Sequence, residues 1–341
     1  MYHPRLQGSH YDMGYKYGSL LHGKGVRLDP IVSLNEEKLQ FGMQSLSLCS
    51  DYYPEITEEI RGMAEGMRFP YEPFAAFLFN VGLFGDTHGC TCFCFQQGDD
   101  IVFARNHDMF TAYKKTTESC LYRPDKGYTF IGQGDALIGK EDGVNEHGLA
   151  VGMTFVASKH CKPGLNFLFL VRCLLEKASN VAEAISLLHT LPISTAQNMI
   201  LADKSGDMAV VECSSRGLAV RRPENGSRCI VASNQFIDPA MTALDDRPEA
   251  DWYSTQTRYN NVVQALKDSN SDRQDSLELA KQILSGKCGF MCQYKKELSF
   301  DTLWSFVVRL NDLDVWRAEG NPGKSKYEKD NRLSWAMEKA K

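Results

Sequence analysis

Apolar residues change their spacing partway along this chain. Up to about residue 88 they recur at helical intervals, and from Cys90 onward they alternate or run in short blocks bounded by turn residues. HYDMGYKYGSLLHGKGV predicts an amphipathic helix in which Gly14 and Gly18, four apart, let another backbone approach. YYPEITEEIRGMAEGM predicts a second helix, with Pro54 in the first turn, acids towards the N-terminal end and Ile56, Ile60 and Met63 on one stripe. A third covers 71–84.

The strand region opens with HGCTCFCFQQGDDIVFARNHDM, from His88 to Met109. Read with period two, Cys90, Cys92 and Cys94 share a face, QQGDD turns, and IVFARN returns as the second strand of a hairpin. SCLYRP and GYTFIGQ follow as strands. In DGVNEHGLAVGMTF, Gly143, Asn145 and Gly148 mark a tight turn between two more. NFLFLVRCLLEKAS and 180–191 are helices, with Asn180 and Glu183 making a capping box for the second. MILADKSGDMAVVEC predicts a hairpin turned at KSGD, and GLAVRRP and CIVASNQF further strands. TRYNNVVQALKDS and DSLELAKQILSG are helices, the latter ending at Gly286. TLWSFVVRLNDLDVWRAEG closes the chain with two strands. This order, strands, two helices, strands, two helices, strands, predicts a layered α+β fold with helices outside the sheets rather than a βαβ repeat. The division expected is a helical segment over 1–89 and a sheet-containing domain over 90–341, with no internal repeat.

Composition narrows the partners. The 341 residues are 43% apolar, ample for a large core, and the net charge of −5 with pI near 5.9 offers no basic stripe for nucleic acid or an anionic membrane. A small-molecule substrate is expected, and a homo-oligomer is left open. The N-terminus lacks a basic stretch followed by an apolar run, and the most apolar segment, 74–84, is too short to span a bilayer, so a soluble, cytoplasmic protein is expected. The eleven cysteines follow no compact disulfide framework, so reduced thiols are expected. Alternate strand residues splay poorly around one ion, which argues against a metal at Cys90, Cys92 and Cys94; no metal and no cofactor is expected, and Cys92 and Cys94 read as small buried hydrophobes.

The chemistry concentrates in the hairpin. Cys90, preceded by Gly89, faces Arg105 and Asp108 on or just past the return strand, and thiolates need a nearby cation. His88 and His107 flank these residues and suggest a papain-like Cys/His peptidase. His107 alternates with Asp108, so their side chains point oppositely, and surface exposure is expected for both histidines. Phe84, Phe93, Phe110 and Tyr113 supply either an apolar acyl pocket or core.

Several segments together resemble the cysteine N-terminal nucleophile (Ntn) hydrolases, which include choloylglycine hydrolases, penicillin V acylases, acid-ceramidase-like amidases and, nearest in layout, the isopenicillin N acyltransferases of peptidase family C45. GCT at 89–91 is similar to the autocleavage junction of the acyltransferases, ARNHDM at 104–109 to the RNxD segment of the choloylglycine hydrolases, and GVNEHGLAVG at 143–152 to the NExGL segment of both. SNQF at 233–236 resembles the strand-end TN segment, TLWS and EGNP the closing strands, and YPEITEEIRGMAEG the helical pro-segment of the acyltransferases.

The resemblance implies a four-layer αββα sandwich in which the chain cuts its own Gly89–Cys90 bond, the fragments staying associated. Cys90 then carries both a thiol and a free α-amine, whose reference pKa of about 7.7–8.0 suits it as the base, so no histidine is required. It further implies that Asp108 orients this amine, Arg105 stands beside the sulfur, Asn234 donates to the oxyanion, and Thr154, where choloylglycine hydrolases carry a second Asn, contributes its backbone N–H. Asn145 is expected to pin its turn. Two departures stand out: the acyltransferases have Gln where Arg105 stands, and their late arginine is replaced by LSFD at 298–301, leaving Arg309 without an assigned role. The function expected is an autoproteolytically activated amidohydrolase acting on linear C–N amide bonds of a small N-acyl substrate through a Cys90 thioester. Its alternatives are an acyltransferase passing the acyl group to an amine and a non-catalytic, uncleaved scaffold.

Overall fold

The structure is a computed structural model and describes the chain apart from residues 30, 84–88, 136, 225, 248–250, 270–274 and 340–341. The N-terminal part contains strand β1 (Arg5–Gly8) and helices α1 (His10–Gly23), α2 (Glu36–Tyr52), α3 (Pro54–Gly66) and α4 (Tyr71–Asn80). The hairpin follows as β2 (Gly89–Gln97) and β3 (Asp100–Phe110), then β4 (Glu118–Pro124), β5 (Phe130–Gly134), β6 (Asp142–Asn145) and β7 (Leu149–Phe155). After α5 (Phe167–Lys177) and α6 (Val181–Thr190) come β8 (Gln197–Asp203), β9 (Met208–Ser214), β10 (Gly217–Arg221) and β11 (Cys229–Ala232). Helices α7 (Thr255–Asp268) and α8 (Ser276–Leu284) precede β12 (Phe300–Arg309), β13 (Asp314–Glu319), β14 (Tyr327–Lys329) and α9 (Arg332–Glu338).

The strands form two sheets. One runs β1-β4-β5-β6-β7-β8-β9-β10 and the other β11-β2-β3-β12-β13-β14, antiparallel throughout except where β1 pairs parallel with β4. Their period-two pattern sets the layers. Cys92, Cys94 and Phe103 face the other sheet and pack with Ile131, Val144, Ala150 and Ile200. The intervening Phe93, Phe95, Val102 and Ala104 face outward onto Val262, Leu279 and Ile283 of α7 and α8. Helices α5 and α6 cover the outer face of the larger sheet, so the order is helices, sheet, sheet, helices. Among the described residues no helix is long and apolar enough to cross a membrane.

Helix α5 is buried over nearly its whole circumference because the N-terminal helices lie on its far side, which explains why FLFLVRCLLEK lacks a polar face. The close approach expected at Gly14 and Gly18 occurs against α3: a Cβ at Gly14 would lie 2.0 Å from the Glu59 carbonyl oxygen, and one at Gly18 2.4 Å from that of Met63. Arg172 on α5 reaches back to Glu59 of α3 at 2.7 Å and to Glu176 at 2.6 Å. Residues 1–83 thus supply an edge strand and part of the main core. Asn180 caps α6 as expected, accepting from the Glu183 N–H at 3.0 Å, while the Glu183 carboxylate takes the N–H of Ser179 rather than that of Asn180. The helical reading of the first segment passed over β1, and the reading of the chain end passed over β14 and α9; β1 and β14 are short strands at the edges of the two sheets.

Candidate active site

A two-residue connection, Gly98 (φ +59°) and Asp99, joins β2 to β3 and fixes the register: Cys92 opposite Arg105, Cys90 opposite His107, Gly89 opposite Asp108. Opposed residues share a face. Cys90, Cys92, Arg105 and His107 therefore point to one side, and Thr91, Asn106 and Asp108 to the other.

On the first side Arg105 is fully buried and fully engaged. Its Nε donates to the Met153 carbonyl at 2.8 Å, Nη1 to Asp142 at 2.7 Å, and Nη2 to Cys90 Sγ at 3.1 Å and Glu141 at 3.0 Å. Burial by itself disfavours its charge, but Cys90, Asp142 and Glu141 reverse that and raise its pKa. Asp142 also accepts from Trp304 Nε1 at 2.9 Å.

His107 corrects the expectation of exposure: it is 0% exposed and packed against the thiol. Its Nδ1 lies 3.8 Å from Cys90 Sγ and 2.6 Å from Glu141, its Nε2 lies 3.4 Å from Asp135, and its ring stacks on Trp304 at 3.9 Å and 12°. Burial lowers its pKa, but the Glu141 charge, with Asp135 and Cys90, raises it well above the ordinary value.

Asp108 is a second correction, since it does not face the thiol. It sits on the other side beside Gly89 and accepts from Thr302 Oγ1 at 2.6 Å and Tyr294 OH at 3.0 Å. Burial raises its pKa, opposed by Arg258 and the two hydroxyls.

Asn234, just beyond β11, does reach Cys90, as an acceptor. Its Oδ1 takes the Cys90 backbone N–H at 2.9 Å and Arg258 Nη2 at 2.8 Å, while its Nδ2 donates to the Phe155 carbonyl at 2.9 Å. Two donors at the oxygen and a carbonyl at the nitrogen fix the amide orientation, so Asn234 holds the Cys90 nitrogen through its oxygen and gives one Nδ2 hydrogen to Phe155. Thr154 acts one step further out. Its hydroxyl donates to the Ser233 carbonyl at 2.6 Å and accepts from Asn198 at 2.9 Å, bracing the turn that carries Asn234.

Sequence reading missed Glu141, Asp142 and, on α7, Arg258. Its Nη1 donates to the Cys90 carbonyl at 2.5 Å and Thr91 Oγ1 at 2.7 Å, and its Nη2 to Asn234. The signal available was its place on a helix face: Thr255, Arg258 and Val262 form the buried stripe, and a charge on such a stripe demands partners. Arg309 pairs with Val102, five residues along β3 from His107 and so about 16 Å away, where it binds Asp312. Asn145 pins its turn, accepting from His147 and Leu149 and donating to the Leu175 and Ala178 carbonyls at the end of α5.

Phe93 lies in the core under α7 and α8, Tyr113 is 41% exposed, and Phe110 joins Trp252, Tyr294 and Phe300 in a ring cluster beside Gly89. His88 and Phe84 lie outside the described residues. Cys92 and Cys94 are buried, and burial pushes both thiols well up. Cys90, His107 and Glu141 bring three ligand atoms within 4.8 Å of one another, but Arg105 Nη2 contacts both the sulfur and the Glu141 carboxylate, so a guanidinium holds the charge position a cation needs.

Two facing sheets with helices outside define the N-terminal nucleophile hydrolase class of fold. A mutant form of the conjugated bile acid hydrolase from Clostridium perfringens superposes with a TM-score of 0.51 at 15% identity over 71% of this chain and 93% of that one. A penicillin V acylase from Agrobacterium tumefaciens gives 0.49 at 18% identity over 67% and 83%. The model of the family described as acyl-coenzyme A:6-aminopenicillanic acid acyl-transferase matches residues 94–324, well over half of the chain, and the chain belongs to that family. An uncharacterized protein of Archaeoglobus fulgidus is 24% identical over 317 residues, 77% of this chain and 52% of that one, so the chain spans about half the length of this curated relative.

Proposed function

We propose that the chain is a cysteine amidohydrolase that first cuts its own Gly89–Cys90 bond. What supports this most is that both functional atoms of one residue are held at once: Cys90 Sγ by Arg105 at 3.1 Å and the Cys90 nitrogen by Asn234 at 2.9 Å. Cutting the bond turns that nitrogen into an amine already fixed by Asn234, with Asp108 facing the new terminus from the paired strand. The amine accepts the thiol proton as sulfur attacks the amide carbon of an N-acyl substrate, and the departing amine carries a proton away. Water then resolves the thioester. Arg105 keeps positive charge beside the sulfur throughout, and Arg258 fixes the Cys90 carbonyl so that the nucleophile does not swing.

The ring cluster of Phe110, Trp252 and Phe300 beside Gly89 suits an apolar acyl group. A second reading, acyl transfer to an amine instead of water, is favoured by the family to which the chain belongs. The test is to incubate the protein with a set of N-acyl amides and read the mass added to the fragment beginning at Cys90. An acyl adduct that decays in water supports hydrolysis, decay only with an added amine supports transfer, and no adduct with any amide, together with Cys90 alkylating no faster than the other thiols, sinks both.

A further inference from the structure

Self-cleavage raises a proton problem that substrate turnover does not. Until the Gly89–Cys90 bond is cut, the Cys90 nitrogen is an amide and has no lone pair to take a thiol proton. Among the described residues two side chains face the sulfur through nitrogen: Arg105, which does not give up its proton in proteins, and His107, whose Nδ1 lies 3.8 Å away and is held by Glu141 at 2.6 Å. A ring stacked on Trp304 cannot turn away.

We propose that His107, held by Glu141 as the imidazolium beside the sulfur, carries the proton of self-cleavage: the proton that leaves Cys90 resides on the ring, and His107 delivers it to the Cys90 nitrogen. Sulfur attacks the Gly89 carbonyl carbon, forming a C–S bond; the C–N bond breaks, and the nitrogen receives the proton from the imidazolium. The products of that step are a thioester and a free α-amine. Water breaks the C–S bond, leaving the Gly89 carboxylate and the Cys90 thiol, so water is the one co-reactant. This rests on the self-cleavage reading above and supplies its missing base. Cys90 thereby uses a Cys–His–Glu arrangement before cutting and its own amine afterwards.

The charged groups around His107 are Cys90 on β2, Arg105 and Asp108 on β3, Asp135 after β5, and Glu141 with Asp142 at the start of β6. Burial works against the imidazolium, and Glu141 leads the groups that favour it, so the proton stays on His107 at pH values where a free imidazole has lost it.

The test follows full-length wild type, His107→Gln and Glu141→Gln by intact mass from about pH 5 to about pH 10, a range spanning the titration of histidine. His107→Gln is expected to slow the appearance of the fragment beginning at Cys90 at least about 100-fold, as loss of an acid–base group does. Glu141→Gln keeps the imidazole but removes the charge that raises it, so the alkaline limb of cleavage should move to lower pH. Should both variants be cut at the wild-type rate with the wild-type pH profile, the inference is overturned while self-cleavage stands. Slow cutting in His107→Gln with an unmoved limb in Glu141→Gln marks a structural role and overturns it too. An uncut wild type overturns the self-cleavage reading itself.

Discussion

Arg105 Nη2 sits 3.1 Å from Cys90 Sγ and 3.0 Å from Glu141, while Nη1 of the same guanidinium sits 2.7 Å from Asp142. One planar cation thus serves the thiol and two buried acids, a task a point charge fills poorly. Arg105→Met strands both carboxylates without a counter-charge and is expected to cost about 3–5 kcal/mol in denaturant unfolding. Arg105→Lys should retain more stability yet lower the rate of Cys90 alkylation by iodoacetamide at least about tenfold, because the second donor is lost. Unchanged alkylation in the lysine variant would argue against Arg105 as the partner of the sulfur.

Gly89 matters for space. A Cβ there would lie 3.1 Å from Asp108 Cβ and 3.1 Å from the Phe300 ring, both fixed by strand pairing and ring packing. Gly89→Val should therefore slow chain cutting, with Gly89→Ala intermediate, as followed by gel densitometry after synthesis. Equal rates in all three would remove the crowding argument.

Arg258 joins helix α7 to the cysteine through the Cys90 carbonyl, Thr91 and Asn234. Arg258→Ala leaves those acceptors short of a charged donor, and a loss of about 1–3 kcal/mol per stranded group sets the expected scale. Urea unfolding reads it; a variant as stable as wild type and cut equally fast would show the contact to be incidental.

The segment before Gly89 is tied to the body after it by His10 and Glu176, 2.9 Å apart, with Arg172, Glu59 and Tyr53 around them. Burial opposes charge on His10, but the bond to Glu176 and its charge raise the pKa above 6.5. That stabilisation is full below the unfolded value and is lost as pH rises through the raised folded value. Glu176 runs the other way. Burial opposes its charge, Arg172 and His10 prevail, and its pKa is lowered to about 2, so its contribution holds above the unfolded value and is lost as pH falls towards that figure. Melting temperature against pH should show wild type losing its advantage over His10→Gln as pH rises past the ordinary histidine range; parallel curves would contradict the linkage.

How much of this the sequence discloses depends on whether the cause is local. The alternation of Cys90, Cys92 and Cys94, the Gly98 turn, and the helix stripe of Ile56, Ile60 and Met63 are written in neighbouring residues, and each is where it was expected. The face of His107 was legible too, since a two-residue turn fixes the register. The inference to exposure failed because His107, and not Asp108, shares the face of Cys90, and that face is buried under the larger sheet. Glu141 and Asp142 meet Arg105, and Arg258 meets Cys90, only through the packing of separate elements, which no local pattern encodes. The same holds for Asn234: its position beside Cys90 was foreseen, but the direction of its amide depends on Arg258 and Phe155.

The most direct test of the central claim is the intact mass of the purified full-length chain beside its Cys90→Ala variant. The expected result is two wild-type fragments that meet between Gly89 and Cys90 and one uncut chain for the variant. A wild-type chain that stays whole, or a Cys90→Ala chain that is cut at the same bond, contradicts it.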